Sequence, residues 1–141
     1  MADSSGSIIA LDVGTSRVGV AVSRADVRFA QPLTTLERQA ENFWSDLIKL
    51  LDEHQATIVV VGLPRGLEGQ TTDQTMYAET FATELGTHSK LEIAMQDEAL
   101  TSVQAETELK QRGKPYEKSD VDALAATYIL SDYLETLGKT S

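Results

Sequence analysis

The chain has 141 residues, no cysteine and a formal net charge of −10, a length that fits one domain able to bury a core. The composition excludes disulfides, thiolate metal sites and thiol nucleophiles, and no apolar run approaches the ~20 residues of a membrane span. The acid excess argues against long-range attraction of nucleic acid, yet positive charge gathers locally at Arg17, Arg24 and Arg28 and again at Lys110, Arg112, Lys114 and Lys118. The opening MADSSGS has neither the basic nor the apolar segment of a signal peptide, so a cytoplasmic protein is expected, with no membrane partner.

Residues 1–6 are small and polar and read as a disordered tail, with a single domain over 7–138 and a second tail over 139–141. Ile8 to Leu11 is an apolar run that suits a strand buried on both faces, and Asp12 stands where it ends. Gly14 and Gly19 flank a tight return, after which Val18, Val20 and Val22 alternate with Gly19, Ala21 and Ser23. This predicts two antiparallel strands joined by a turn over 14–16. Residues 27–36, with Pro32 among them, read as a third strand at a sheet edge. Phe43, Trp44, Leu47, Ile48, Leu50 and Leu51 recur at helical spacing over 41–53. The run TIVVV over 57–61 predicts a fully buried strand, ended by Gly62 and Pro64.

The Gly-rich polar segment 65–72 reads as a mobile loop. A helix is expected from Asp73 to a cap at Gly86, then a fifth strand over 91–95 that ends in Asp97 and Glu98. Thr101 with Gln104 signals a capped helix over 102–111, and Ser119 with Asp122 signals a last helix reaching about Leu137. His54 and His88 sit in polar surroundings and read as surface residues. The order β-β-β-α-β-α-β-α-α implies an antiparallel meander of three strands, then two parallel strands beside the first.

In that topology Asp12 and the pair Asp97, Glu98 end parallel strands at one sheet edge. Asp122, at the start of the last helix, can pack over the same edge. Each acid has a plainer role open to it: Asp12 capping its turn, Asp122 capping its helix, Glu98 standing in a loop. If they converge, two carboxylates about 4 Å apart repel by roughly 1 kcal/mol in water and about 4 kcal/mol at an effective dielectric of 20. A divalent cation relieves this. An all-oxygen set suits Mg²⁺ or Mn²⁺ rather than Zn²⁺, and two such ions support phosphodiester cleavage.

The stretches ALDVGTSRVGVAVS, VVVGLPRGLEGQTTDQT, DEALTSVQA and KSDVDALAATYIL, in this order, together resemble the YqgF/RuvX family. Its members are bacterial RNase H-like proteins described as Holliday junction resolvases and as nucleases maturing the 5′ end of pre-16S rRNA. The resemblance spans about Ile8 to Leu134. It implies an RNase H-like α/β fold with a five-stranded mixed sheet flanked by helices. It implies catalytic and metal-binding roles for Asp12, Glu98 and Asp122, and an accessory ligand role for Asp97. Arg17 matches a family arginine expected at phosphate, and Arg65, Lys110, Arg112, Lys114 and Lys118 are the further candidates for nucleic-acid contact. Two positions depart from the family: Ala99 replaces an arginine, and Arg24 replaces an acid.

The function so implied is metal-dependent cleavage of structured RNA, with branched DNA as the alternative substrate and a monomer or homodimer as the acting unit. Two other classes compete. Asp12-Val13-Gly14-Thr15 also resembles the first phosphate motif of sugar kinases and actin-like ATPases, but the single domain lacks the second half of such a nucleotide clamp. A non-catalytic nucleic-acid-binding module gains nothing from clustered negative charge.

Overall fold

A computed structural model describes residues 6–24 and 26–138. Of the tails expected at 1–6 and 139–141, residues 1–5 and 139–141 lie outside the described residues, and Gly6 is buried. The elements are β1 (Ser7–Val13), β2 (Arg17–Arg24), β3 (Gln31–Glu37), α1 (Phe43–Glu53), β4 (Ala56–Pro64), α2 (Asp73–His88), β5 (Glu92–Glu98), α3 (Thr101–Arg112) and α4 (Lys118–Gly138). The sheet order is β3-β2-β1-β4-β5. β1, β2 and β3 pair antiparallel, and β1, β4 and β5 pair parallel, the mixed sheet expected from the order of elements.

Alternation within the strands sorts the core into two layers. Ile9, Leu11, Val18, Val20, Val59 and Val61 face one side, where Phe43, Leu47 and Leu51 of α1 and Ala78, Phe81 and Leu85 of α2 cover them. Ile8, Ala10, Ala21 and Val60 face the other, against Ala126, Ile129, Leu130 and Leu134 of α4. α3 packs outside α4 through Ala105, Leu109, Leu124 and Ala125. α4 therefore covers the face that carries Asp12. Exposed His88 stacks on Trp44, ring centroids 4.3 Å apart.

Several boundaries differ from the sequence reading. β3 starts at Gln31 instead of residue 27, because Val27 and Phe29 lie in the connection, 53% and 64% exposed. Gly86 is inside α2, which continues to His88 and is capped at Ser89. α3 has no side-chain cap; Leu100 enters it in the left-handed region at φ 61°. α4 starts one residue before Ser119, and the Asp120 carboxylate, not that of Asp122, accepts from a backbone N–H at the helix start (Glu117 N, 2.9 Å).

Candidate active site

Asp12 lies near the carboxyl end of β1, in register with Gly19 of β2. Gly19 is what lets α4 approach: a Cβ there would stand 2.0 Å from the Asp122 carbonyl oxygen. The close crossing brings Asp122 over the sheet beside Asp12. Freed from capping, the Asp122 carboxylate accepts a hydrogen bond from Arg17 Nε at 2.5 Å. Arg17 follows the turn closed by Gly14 N–H donating to the Arg17 carbonyl at 2.9 Å. It keeps 37% of its side-chain surface exposed, so its guanidinium is only partly engaged.

Asp12, Asp122 and Arg17 line one cleft of about 560 Å³ with Thr15, Arg65, Tyr77, Leu100 and Val103 among its other walls. It opens at the carboxyl ends of the parallel strands, the usual site of ligand binding in open α/β sheets. Burial, and then the neighbouring Asp122 charge, push the Asp12 carboxyl up to about 7.

Glu98 ends β5, paired with Pro64 of β4. It shares the α4 face of the sheet with Asp12 but lies two strands across and two residues further along the register, about 12 Å of backbone spacing away. Its carboxyl is pushed up to about 8, first by burial, then by the carboxyl of Asp132 on α4, and last by Asp12. Glu98 thus meets Asp132, one helical spacing beyond the buried Ile129 on the same stripe. Among the described residues no three acidic or histidine side chains gather closely enough to hold a metal ion. Asp97 projects from the opposite face of β5. There Arg65 binds it (Nε–Oδ1 3.2 Å), and Arg65 also donates to Thr71 Oγ1 at 2.8 Å and, through its backbone N–H, to the Glu98 carbonyl at 2.7 Å. The 65–72 loop carries its own bonds, including Gly66 N–H to the Gln70 carbonyl at 2.9 Å.

Lys110, Arg112 and Lys114 lie at or just past the end of α3 far from the cleft, whereas Lys118 opens α4 about one turn before Asp122. Arg112 pairs with Glu108, which also accepts from the Tyr128 hydroxyl. With Lys114, Pro115 and Tyr116, Arg112 lines a separate cavity of about 240 Å³ between α3 and α4.

Asp132, Tyr77, Leu100 and Val103 were not singled out as site residues in the sequence. One signal was available: an acid on the apolar stripe of α4 after Ile129 and Leu130. A glycine inside the Val-rich β2 signals close backbone approach in the same way.

Residues 6–136 match the family described as "RuvX: Holliday junction resolvase". A protein of Chloroflexus aurantiacus named "Putative pre-16S rRNA nuclease" is 42% identical over 131 residues, 91% of this chain and 86% of its own. Proteins of the same name from Cronobacter sakazakii (36% identical, covering 95% of this chain and 99% of theirs) and Crocosphaera subtropica (42%, covering 92% of each) are similarly related. Among solved structures, the T. thermophilus RuvC in complex with a Holliday junction substrate superposes with a TM-score of 0.57 at 15% identity, covering 96% of this chain and 97% of that one. The fold is RNase H-like.

Proposed function

The chain belongs to the RuvX family, and from that premise we propose that it is a metal-dependent nuclease that hydrolyses phosphodiester bonds of structured RNA, in maturation of the 5′ end of pre-16S rRNA. The observation that carries this reading is the uncompensated acid at the cleft: Asp12 is raised to about 7 by burial and by Asp122. Burying a carboxylate beside another is costly unless a cation joins them.

The donor set fits such a cation. Asp12, Glu98 and Asp122 offer only carboxylate oxygens, which suit Mg²⁺ or Mn²⁺; Asp12 and Asp122, both in the cleft, would hold it, and Glu98 would have to leave Asp132 to join them. Two ions so bound would activate water and offset charge on the leaving oxygen. Arg17 orients the Asp122 carboxylate through Nε, and its remaining N–H groups are suited to a phosphate oxygen. Asp97, bound by Arg65 on the far face of β5, serves to fix Arg65 rather than to bind the ion.

The test is Asp12→Asn with Mn²⁺ and a precursor rRNA fragment. The variant should fold, and its cleavage should fall by at least a hundredfold. Parent-like cleavage, with contaminating nuclease excluded, removes Asp12 as a ligand. The family's description favours a second substrate, branched DNA, so a four-way junction belongs in the same assay. Preferential cleavage of the junction by a dimer replaces the RNA reading.

A further inference from the structure

The cleft has two unlike walls. One is charged and comes from β1, β2 and α4: Asp12, Arg17 and Asp122. The other comes from α2 and the start of α3, where Tyr77, Leu100 and Val103 form an apolar patch beside the polar Asp73, Gln74, Thr101 and Ser102. Leu100 and Val103 are 52% and 57% exposed, and neither joins a core cluster. Tyr77 is half-buried, its body packed on the α1–α2 side of the core.

Local propensity opposes both exposed residues. Leu100 stands at φ 61°, ψ 22°, a region that crowds any residue with a Cβ. Val103 is β-branched on an exposed helix position, where branching costs side-chain freedom. Two local rules are broken side by side with no gain in burial. Conflicts of that kind collect at functional sites.

The cleft's volume of about 560 Å³ lies in the range that takes one small-molecule-sized group. On the nuclease reading its polarity matches a single nucleotide: phosphate toward Arg17 and the cation that Asp12 and Asp122 would hold, base toward Tyr77, Leu100 and Val103. We propose that Tyr77, Leu100 and Val103 form a subsite for the unstacked base of the nucleotide adjoining the scissile phosphate, so that the protein selects an unpaired nucleotide at the cleavage point. This rests on the nuclease reading above. A base held in a duplex stays stacked on its neighbours and does not reach the wall. An unpaired base does, and aromatic and aliphatic surfaces accept any base by its π-face. The subsite therefore reads pairing state and not sequence.

The test compares a short single-stranded RNA, its cleavage point mapped, with the same RNA made abasic at that nucleotide. The parent protein should cut the abasic RNA roughly tenfold less efficiently, as expected for loss of one stacking contact. Leu100→Gly should cut the intact RNA roughly tenfold less efficiently than the parent does, and the abasic RNA equally well. Because glycine is at ease at this φ, the variant should melt at or above the parent temperature, which separates lost selectivity from lost folding. Equal cleavage of the two RNAs by the parent overturns the proposal. If the parent cuts neither RNA, the nuclease reading fails and binding decides the subsite. The RNA is then titrated with 2-aminopurine replacing each base in turn. A fluorescence change at one position that Leu100→Gly abolishes supports the subsite; no position-dependent change overturns it. Conversion of a dimer to a monomer by Leu100→Gly in sedimentation also overturns it, since Leu100 is then a subunit contact.

Discussion

At Asp12 a carboxyl raised to about 7 makes folding itself depend on pH. Below its unfolded value of 3.8 the group is protonated in both states and costs nothing. Between 3.8 and about 7 the folded chain takes up a proton that the unfolded chain does not. As pH rises through about 7 the folded chain must hold the buried charge, and the stability present at low pH is lost. Glu98 acts in the same direction between 4.5 and about 8. In chelator the melting temperature should therefore be higher near about pH 5.5, inside both windows, than near about pH 8.5, above both. General self-repulsion of an acidic chain also grows with pH, so Asp12→Asn is the control. That variant should lose part of the pH dependence and be the more stable protein at the alkaline end. Addition of Mg²⁺ to the parent should close the same gap. A melting temperature with the same pH dependence in parent and variant would sink the argument.

Among the elements, the glycines show how the sheet and α4 are fitted together, and alanine separates their roles. At Gly19 a Cβ would stand 2.0 Å from backbone, the Asp122 carbonyl. Gly19→Ala should cost about 3 kcal/mol and break the Arg17–Asp122 contact by lifting the helix. At Gly62 the obstacle is the tip of the Ile129 side chain, 2.5 Å away, which can rotate, so about 1 kcal/mol is expected. Gly86 is helical, and its Cβ would meet Ile93 Cδ1 at an ordinary 3.9 Å. Gly86→Ala should stabilise by roughly 0.5–1 kcal/mol. Denaturant midpoints check all three, and a stable Gly19→Ala would show that α4 does not need the close crossing. Expecting a cap at Gly86 was reasonable from composition, but α2 runs two residues further to His88, and the Ser89 N–H closes it by donating to the Leu85 carbonyl at 3.0 Å. The strands were legible because Ile8–Leu11 and the TIVVV run carry burial in their own composition. Asp12 was legible as a charge in an apolar strand. The pairing of Glu98 with Asp132 was not, since it depends on the diagonal course of α4 from β3, where Thr35 Oγ1 donates to the Ser119 carbonyl at 2.8 Å, across to β5. No spacing along the chain encodes that angle. The start of α3 misled for a local reason: the chain leaves β5 through a left-handed residue, so the side-chain cap implied by Thr101 and Gln104 never forms.

For the whole molecule, a net charge of −10 repels a polyanion, so attachment must come from local cations near the cleft. α3 starts at the cleft with Thr101 and ends at Arg112, about 17 Å along its axis at ~1.5 Å per residue. Lys118 opens α4, only ~6 Å along the axis from Asp122. A single strand leaving the carboxylates over the start of α4 therefore meets Lys118 first and the 110–114 end of α3 later. Arg112 is already held by Glu108, whose carboxyl sits below its usual range because Tyr128 and Arg112 hydrogen-bond to it. Each phosphate of a single strand neutralised by the protein contributes about 0.7 to the slope of log K against log salt. Full engagement of Lys110, Arg112, Lys114 and Lys118 would contribute about 2.8 by that rule, and the three lysines alone about 2.1. Binding of one RNA should be measured at several salt concentrations, with Ca²⁺ in place of the catalytic ion. The quadruple alanine variant should bind more weakly on unrelated sequences, with a slope flatter by about 2. Arg112→Ala alone should leave the slope nearly unchanged, because that guanidinium is engaged with Glu108. A parental slope in the quadruple variant would make the segment a solvated surface. The phosphate contacts would then fall to Arg17 and Arg65 at the cleft, where the salt dependence of single alanine variants would locate them.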